Sequence, residues 1–198
     1  MSKKIIVFDV DGVIIDSAQR KLTAFSQVVR DYGLSDNSLI IETLNTRVSR
    51  NILAEKIYEV SGINTRKTLM DISRYLALYE SKGNMYPVFS DTLVFIERYY
   101  EKYLFFTNTA MHSSTTQDIF QKLGILNFFE EILGYDTGTK RENIQYLLRE
   151  YTSFSKNILF LDDLQQNIDE VIPTGVHTLL FSDDGVSLEE KVQNIFGT

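Results

Sequence analysis

The chain opens on a short apolar run, "KIIVFD" at residues 4–9, hydrophobic at consecutive rather than alternating positions. Such a run predicts a strand buried on both faces, as in a parallel sheet. From there to about residue 86 the period changes. Leu22, Phe25, Val29 and Tyr32 recur at helical spacing, with Gly33 as a stop. Leu44, Val48, Ile52 and Ile57 predict a second helix, and Leu69, Ile72, Leu76 and Tyr79 a third, with Gly83 after it. This stretch predicts no strand. Beyond Pro87 the chain alternates. Helices are predicted at about 90–101, 114–123 and 141–151, in a short piece ending near Pro173, and at 187–196. Between them lie strand-like runs at 103–107, 131–135, 157–162 and 177–181. Strands alternating with helices predict an α/β fold, a parallel sheet wrapped in crossover helices. The all-helical stretch is then an insert after the first strand.

Composition narrows the chemistry. A chain of 198 residues with 43% hydrophobic and 24% charged residues suits one good-sized domain or a core domain with an insert. No apolar run is long enough to span a membrane. The N-terminus shows no signal-peptide pattern, so a cytoplasmic setting is expected. The net charge of -7, with no basic tract, argues against nucleic acid as a partner. An acidic chain that binds an anionic substrate needs a local cation. With no Cys and two His, carboxylates would have to hold it, which points to a hard ion such as Mg²⁺.

In parallel sheets ligands bind at the carboxyl ends of the strands. Asp9 ends the first strand, with Asp11 just beyond; Thr107 and Asn108 end the second; Asp162 and Asp163 end "ILFLDD". Lys140 stands in "TGTKRE", just before a predicted helix. Singly, each has a plainer reading. A strand-terminal Asp is most often a turn or helix cap, a lone Thr a sheet residue and a lone Lys a solvated one. Asp183 and Asp184 also follow a strand, but Gly185 comes at once and that pair reads as a turn. The set has more weight than its members.

The order D-x-D-G, T-N, K, D-D resembles the haloacid dehalogenase superfamily of phosphohydrolases. "FDVDGVIIDS", "LFFTNT" and "ILFLDDLQQNI" are similar to its first, second and fourth motifs, and the likeness runs over essentially the whole chain. Length and insert position resemble the phosphoglycolate phosphatase and β-phosphoglucomutase branch. The resemblance implies a Rossmann-like five-stranded sheet in the order 3-2-1-4-5. Residues 1–15 and 87–198 would form the core, and 16–86 an α-helical cap domain.

It also implies roles. Asp9 would be the nucleophile and form an aspartyl-phosphate, and Asp11 the acid and base that also lends its carbonyl to the metal. Asp163 would ligate Mg²⁺ directly and Asp162 directly or through a water, with Asn167 orienting the pair from behind. Thr107 and the backbone N–H of Asn108 would bind phosphate oxygens, and Lys140 would neutralise charge. One departure stands out: the Lys of that branch is usually followed by Pro, and here Arg141 follows Lys140.

The implied activity is a Mg²⁺-dependent phosphatase acting on a small phosphorylated metabolite. Asp11 favours phosphate chemistry over dehalogenation. Lys21 stands where β-phosphoglucomutase-type enzymes carry a cap His, which favours a phosphatase over a phosphomutase. "TRVSRN" resembles a cap segment whose Arg grips the far end of the substrate; Arg50 matches it, with Arg47 close by, and the plainer reading of Arg50 is a solvated helix residue. His112 reads as a helix-start residue. A non-catalytic phosphate-binding or regulatory protein is the alternative from another class, and the sequence leaves the oligomeric state open.

Overall fold

The computed structural model describes residues 3–46, 48–80, 87–151, 154–182 and 184–197. Arg47, Gly83 and Asp183 lie outside these residues, as does the side chain of Tyr79. The chain divides into two compact units, Met1–Asp16 with Val88–Thr198, and Ser17–Pro87.

The first unit is built on five parallel strands: β1 (Lys4–Phe8), β2 (Tyr103–Asn108), β3 (Phe129–Leu133), β4 (Ile158–Asp162) and β5 (His177–Leu180). They lie in the order β3-β2-β1-β4-β5, the order expected from the sequence. β1 is central, with Ile5 opposite both Leu104 and Ile158. Its residues Ile5, Ile6, Val7 and Phe8 are all fully buried, which is why it reads as an unbroken apolar run.

The helices of this unit are α5 (Ser90–Tyr99), α6 (Ser113–Leu123), α7 (Lys140–Glu150), α8 (Gln165–Val171) and α9 (Leu188–Phe196). On one face Ile5, Val7, Phe106 and Phe160 pack against Ile144 and Leu147 of α7 and Ile168 and Val171 of α8. Elsewhere in the unit rings gather: Phe8 meets Phe105 edge-on at 5.4 Å, and Phe95 and Phe129 each lie about one ring away from Phe105. Burying each such side chain contributes about 1.5–3 kcal/mol before entropy is counted.

The second unit is helical: α1 (Ala18–Asp31), α2 (Ser38–Asn45), α3 (Arg50–Ser61) and α4 (Thr65–Glu80). Its core is Ala24, Phe25, Val28, Val29, Ile40, Leu53, Ile57 and Ile72. The buried stripe of α1 thus runs through Ala24 and Val28, whereas Leu22 is exposed.

Two elements differ from the sequence prediction. The single helix expected through Leu44, Val48, Ile52 and Ile57 is two, α2 and α3. Thr46 is extended after α2, and the Ser49 side chain accepts from the Ile52 N–H to begin a new helix. The strand expected at 131–135 begins two residues earlier and ends at Leu133. Gly134 then turns tightly: a Cβ there would lie 2.5 Å from both the Met111 oxygen and the Ser113 nitrogen. Lys140, expected just before a helix, is the first residue of α7.

Candidate active site

The chain runs outward from β1 to β2 and β3, then returns to β4 on the other side of β1. The order therefore reverses between β1 and β4, and parallel sheets bind ligands beyond the carboxyl ends of strands at such a switch point. Asp9 and the pair Asp162 and Asp163 stand there. Asp9 directly follows β1 and donates its N–H to the Leu161 oxygen of β4 at 2.8 Å. The two strand ends are thereby stitched together up to the functional residues.

Asp9, Asp162 and Asp163 can each offer a carboxylate oxygen within 4.8 Å of the others. Asp162 is wholly buried at the end of β4. Its Oδ1 accepts from the Leu164 N–H and from Asn167 Nδ2, both at 2.9 Å. Asn167, on α8, also reaches Oδ2 at 3.1 Å. Asp163 is half-buried and lies against Gly12, where any Cβ would overlap its carboxylate. Gly12 also holds φ at +92°, a backbone state that side chains rarely adopt. Glycine is needed at this position on both counts. Asp11 sits half-buried in the turn, which is closed by the Gly12 N–H on the Ile15 oxygen at 2.7 Å.

Lys140 enters from α7. Its Nζ lies 2.8 Å from Asp162 Oδ2 and 3.1 Å from Asp9 Oδ1, and donates to the Asn108 carbonyl at 2.7 Å. Burial works against its charge, but Asp9 and Asp162 outweigh it and hold the Lys140 pKa above the usual lysine value. The residue after the lysine being Arg, the helix start is fixed by other means. The Thr139 side chain accepts from the Glu142 N–H at 3.2 Å, and the Glu142 carboxylate accepts from the Thr139 N–H at 2.8 Å, a capping box.

At the end of β2 the side chains turn inward. The Thr107 hydroxyl donates to the Leu133 oxygen at 3.3 Å. Asn108 Nδ2 donates to the Lys140 carbonyl at 2.8 Å, and its Oδ1 accepts from Asn143 Nδ2 at 3.0 Å. Asn108 and Lys140 therefore hold each other at two points. Asn143 was not singled out in the sequence, and it locks this pair from a buried position on α7. It is a polar residue buried on the same side of α7 as Ile144 and Leu147, and its partner Asn108 lies on another element.

His112 caps α6, its Nδ1 accepting from the Ser114 N–H at 3.3 Å. Arg50 is an exposed residue at the start of α3, in the second unit. Arg47 lies outside the described residues.

Fold and site together define an α/β protein with a carboxylate cluster and a buried lysine at the switch point of a parallel sheet. The family model of haloacid dehalogenase-like hydrolases matches residues 6–181, and the chain belongs to that family. No curated protein matches the chain in sequence. Among solved structures it is similar to a haloacid dehalogenase-like family hydrolase of Streptococcus pneumoniae, at 19% identity over 98% of this chain and 90% of that one, with a TM-score of 0.69. It is also similar to the HAD-hydrolase YfnB of Bacillus subtilis, bound to magnesium, at 16% identity over the whole of both chains and a TM-score of 0.66. A third, named a predicted phosphoglycolate phosphatase, from Haemophilus somnus, is 20% identical over 90% of this chain and 84% of that one, with a TM-score of 0.66. At these identities the likeness is one of fold.

Proposed function

We propose that the protein is a Mg²⁺-dependent phosphatase that hydrolyses a small phosphorylated metabolite through an aspartyl-phosphate on Asp9. The observation that carries this reading is the meeting of Asp9, Asp162 and Asp163 with Lys140 at the sheet's switch point. Three carboxylates with oxygens inside 4.8 Å repel one another unless cations share them. Lys140 supplies one charge, and an all-oxygen donor set selects a hard divalent ion for the rest. Asp9, Asp163, the Asp11 carbonyl and Asp162, the last directly or through a water, would hold Mg²⁺. When bound, Mg²⁺ supplies charge neutralisation between the anionic phosphate and the carboxylate that attacks it. The magnesium in the Bacillus subtilis relative and the phosphatase name of the Haemophilus somnus relative support the same reading.

The residues divide the work. Asp9 attacks phosphorus, and Asp11 gives its proton to the leaving alcohol oxygen. Asp11 then takes a proton from the water that cleaves the aspartyl-phosphate and releases inorganic phosphate. Lys140, 3.1 Å from Asp9, neutralises charge on the nucleophile and on the equatorial oxygens. Asn167 and the Leu164 N–H hold Asp162 in orientation. The Asn108 N–H and the Thr107 hydroxyl bind phosphate oxygens, and Thr107 must turn from Leu133 to do so. Residues 16–86 serve as the cap domain that chooses the substrate, with Arg50 and Arg47 as its anion-gripping residues.

The reading is tested with a generic aryl phosphate. Wild type with Mg²⁺ releases the phenol, while a chelator or Asp9→Asn reduces the rate to background. Equal rates for wild type and Asp9→Asn overturn the assignment.

A further inference from the structure

The buried ammonium of Lys140 must meet Asp9 and Asp162 at the same time, yet these residues arrive from three different elements. α7 carries Lys140, α8 carries the Asn167 that holds Asp162, and on the surface the two helices meet through Arg141 and Glu170. The Arg141 N–H donates to the Glu170 carboxylate at 3.1 Å. Arg141 Nε–H donates to the Glu170 backbone oxygen at 2.8 Å. The first bond satisfies an N–H in the first turn of α7, and the second a carbonyl in the last turn of α8. These are groups that helix ends ordinarily leave without an intrahelical partner. Each helix thus completes the other's terminus.

The grip closes a ring. From Arg141 the chain steps to Lys140, whose Nζ reaches Asp162. Asp162 is held by the Leu164 N–H and by Asn167 on α8. α8 then runs on to Glu170, and so back to Arg141. Ile144 and Leu147 of α7 also share a core with Ile168 and Val171 of α8. Apolar packing sets the spacing of two helices but leaves them free to slide by fractions of an ångström. A directional contact beside Lys140 removes that freedom.

We propose that Arg141 and Glu170 are positioning residues, a clamp that fixes Lys140 relative to Asp162 and Asp9. Their place in catalysis rests on the phosphatase reading above. The plain alternative is a surface contact of little consequence, and the test separates the two. Lys140 acetylation is followed by peptide mass spectrometry in wild type, Glu170→Ala, Arg141→Ala and Glu170→Gln. With the clamp, Lys140 reacts severalfold faster in both Ala variants while Lys56 and Lys122 keep their rates. Glu170→Gln, which retains an acceptor for the Arg141 N–H, matches wild type. With an aryl phosphate, Glu170→Ala lowers kcat roughly tenfold at unchanged KM and adds nothing to Lys140→Met. Unchanged Lys140 labelling in Glu170→Ala, or equal acceleration at every lysine, overturns the clamp. A wild type without Asp9-dependent turnover overturns the phosphatase reading instead, and the labelling comparison still decides the clamp.

Discussion

Gly12 and Asp163 show how much a single residue can constrain. The chain turns at φ +92° against a carboxylate, with no room for a methyl group. Gly12→Ala is therefore expected to cost about 1–3 kcal/mol in stability from the backbone alone. It should also push Asp163 away from Asp9 and Asp162 and weaken Mg²⁺ binding. Urea unfolding and titration calorimetry read the two effects separately, and a variant with wild-type values in both contradicts this account. The strand-end residues Asp9, Asp162 and Asp163 were legible in the sequence because their positions follow from where apolar runs stop. Asn143 and Glu170 were not. Their partners, Asn108 and Arg141, lie about thirty residues away and on other elements, and no local pattern encodes that meeting.

At the scale of elements, the apolar period carried most of the fold and misjudged its boundaries where polar detail takes over. Leu44, Val48, Ile52 and Ile57 fit one helical period. The chain nevertheless breaks between them, because Ser49 caps a new helix while Thr46 is extended. Ser49→Ala should destabilise the second unit by about 1 kcal/mol. Thermal unfolding checks this, and no loss would mean that packing around Leu53 and Ile57 alone sets the start of α3. The early start of β3 has a different cause. The predicted run starts at Glu131 and leaves out Phe129 and Glu130, but β3 is an edge strand whose residues need not be apolar. Glu131 is also occupied, accepting from the Tyr146 and Tyr151 hydroxyls. Those bonds hold the Tyr151 pKa above the usual tyrosine value. Such cross-element partners are set by tertiary packing and are not visible in the local pattern.

At the scale of the molecule, one unit supplies a rigid sheet and the other a helical core of its own. The sheet order brings β1 and β4 side by side and so unites residues 9 and 162, which are far apart in the chain. That union underlies the claim that Asp9 is a nucleophile rather than a turn residue. Among the described residues no helix is long and apolar enough to cross a membrane. The most direct test is to acid-quench the wild-type protein during turnover of an aryl phosphate with Mg²⁺ and to map its peptides by mass spectrometry. The account predicts a phosphoryl group on Asp9, accumulating further in Asp11→Asn and absent in Asp9→Asn. Sustained turnover with Asp9 unmodified in both wild type and Asp11→Asn would contradict it.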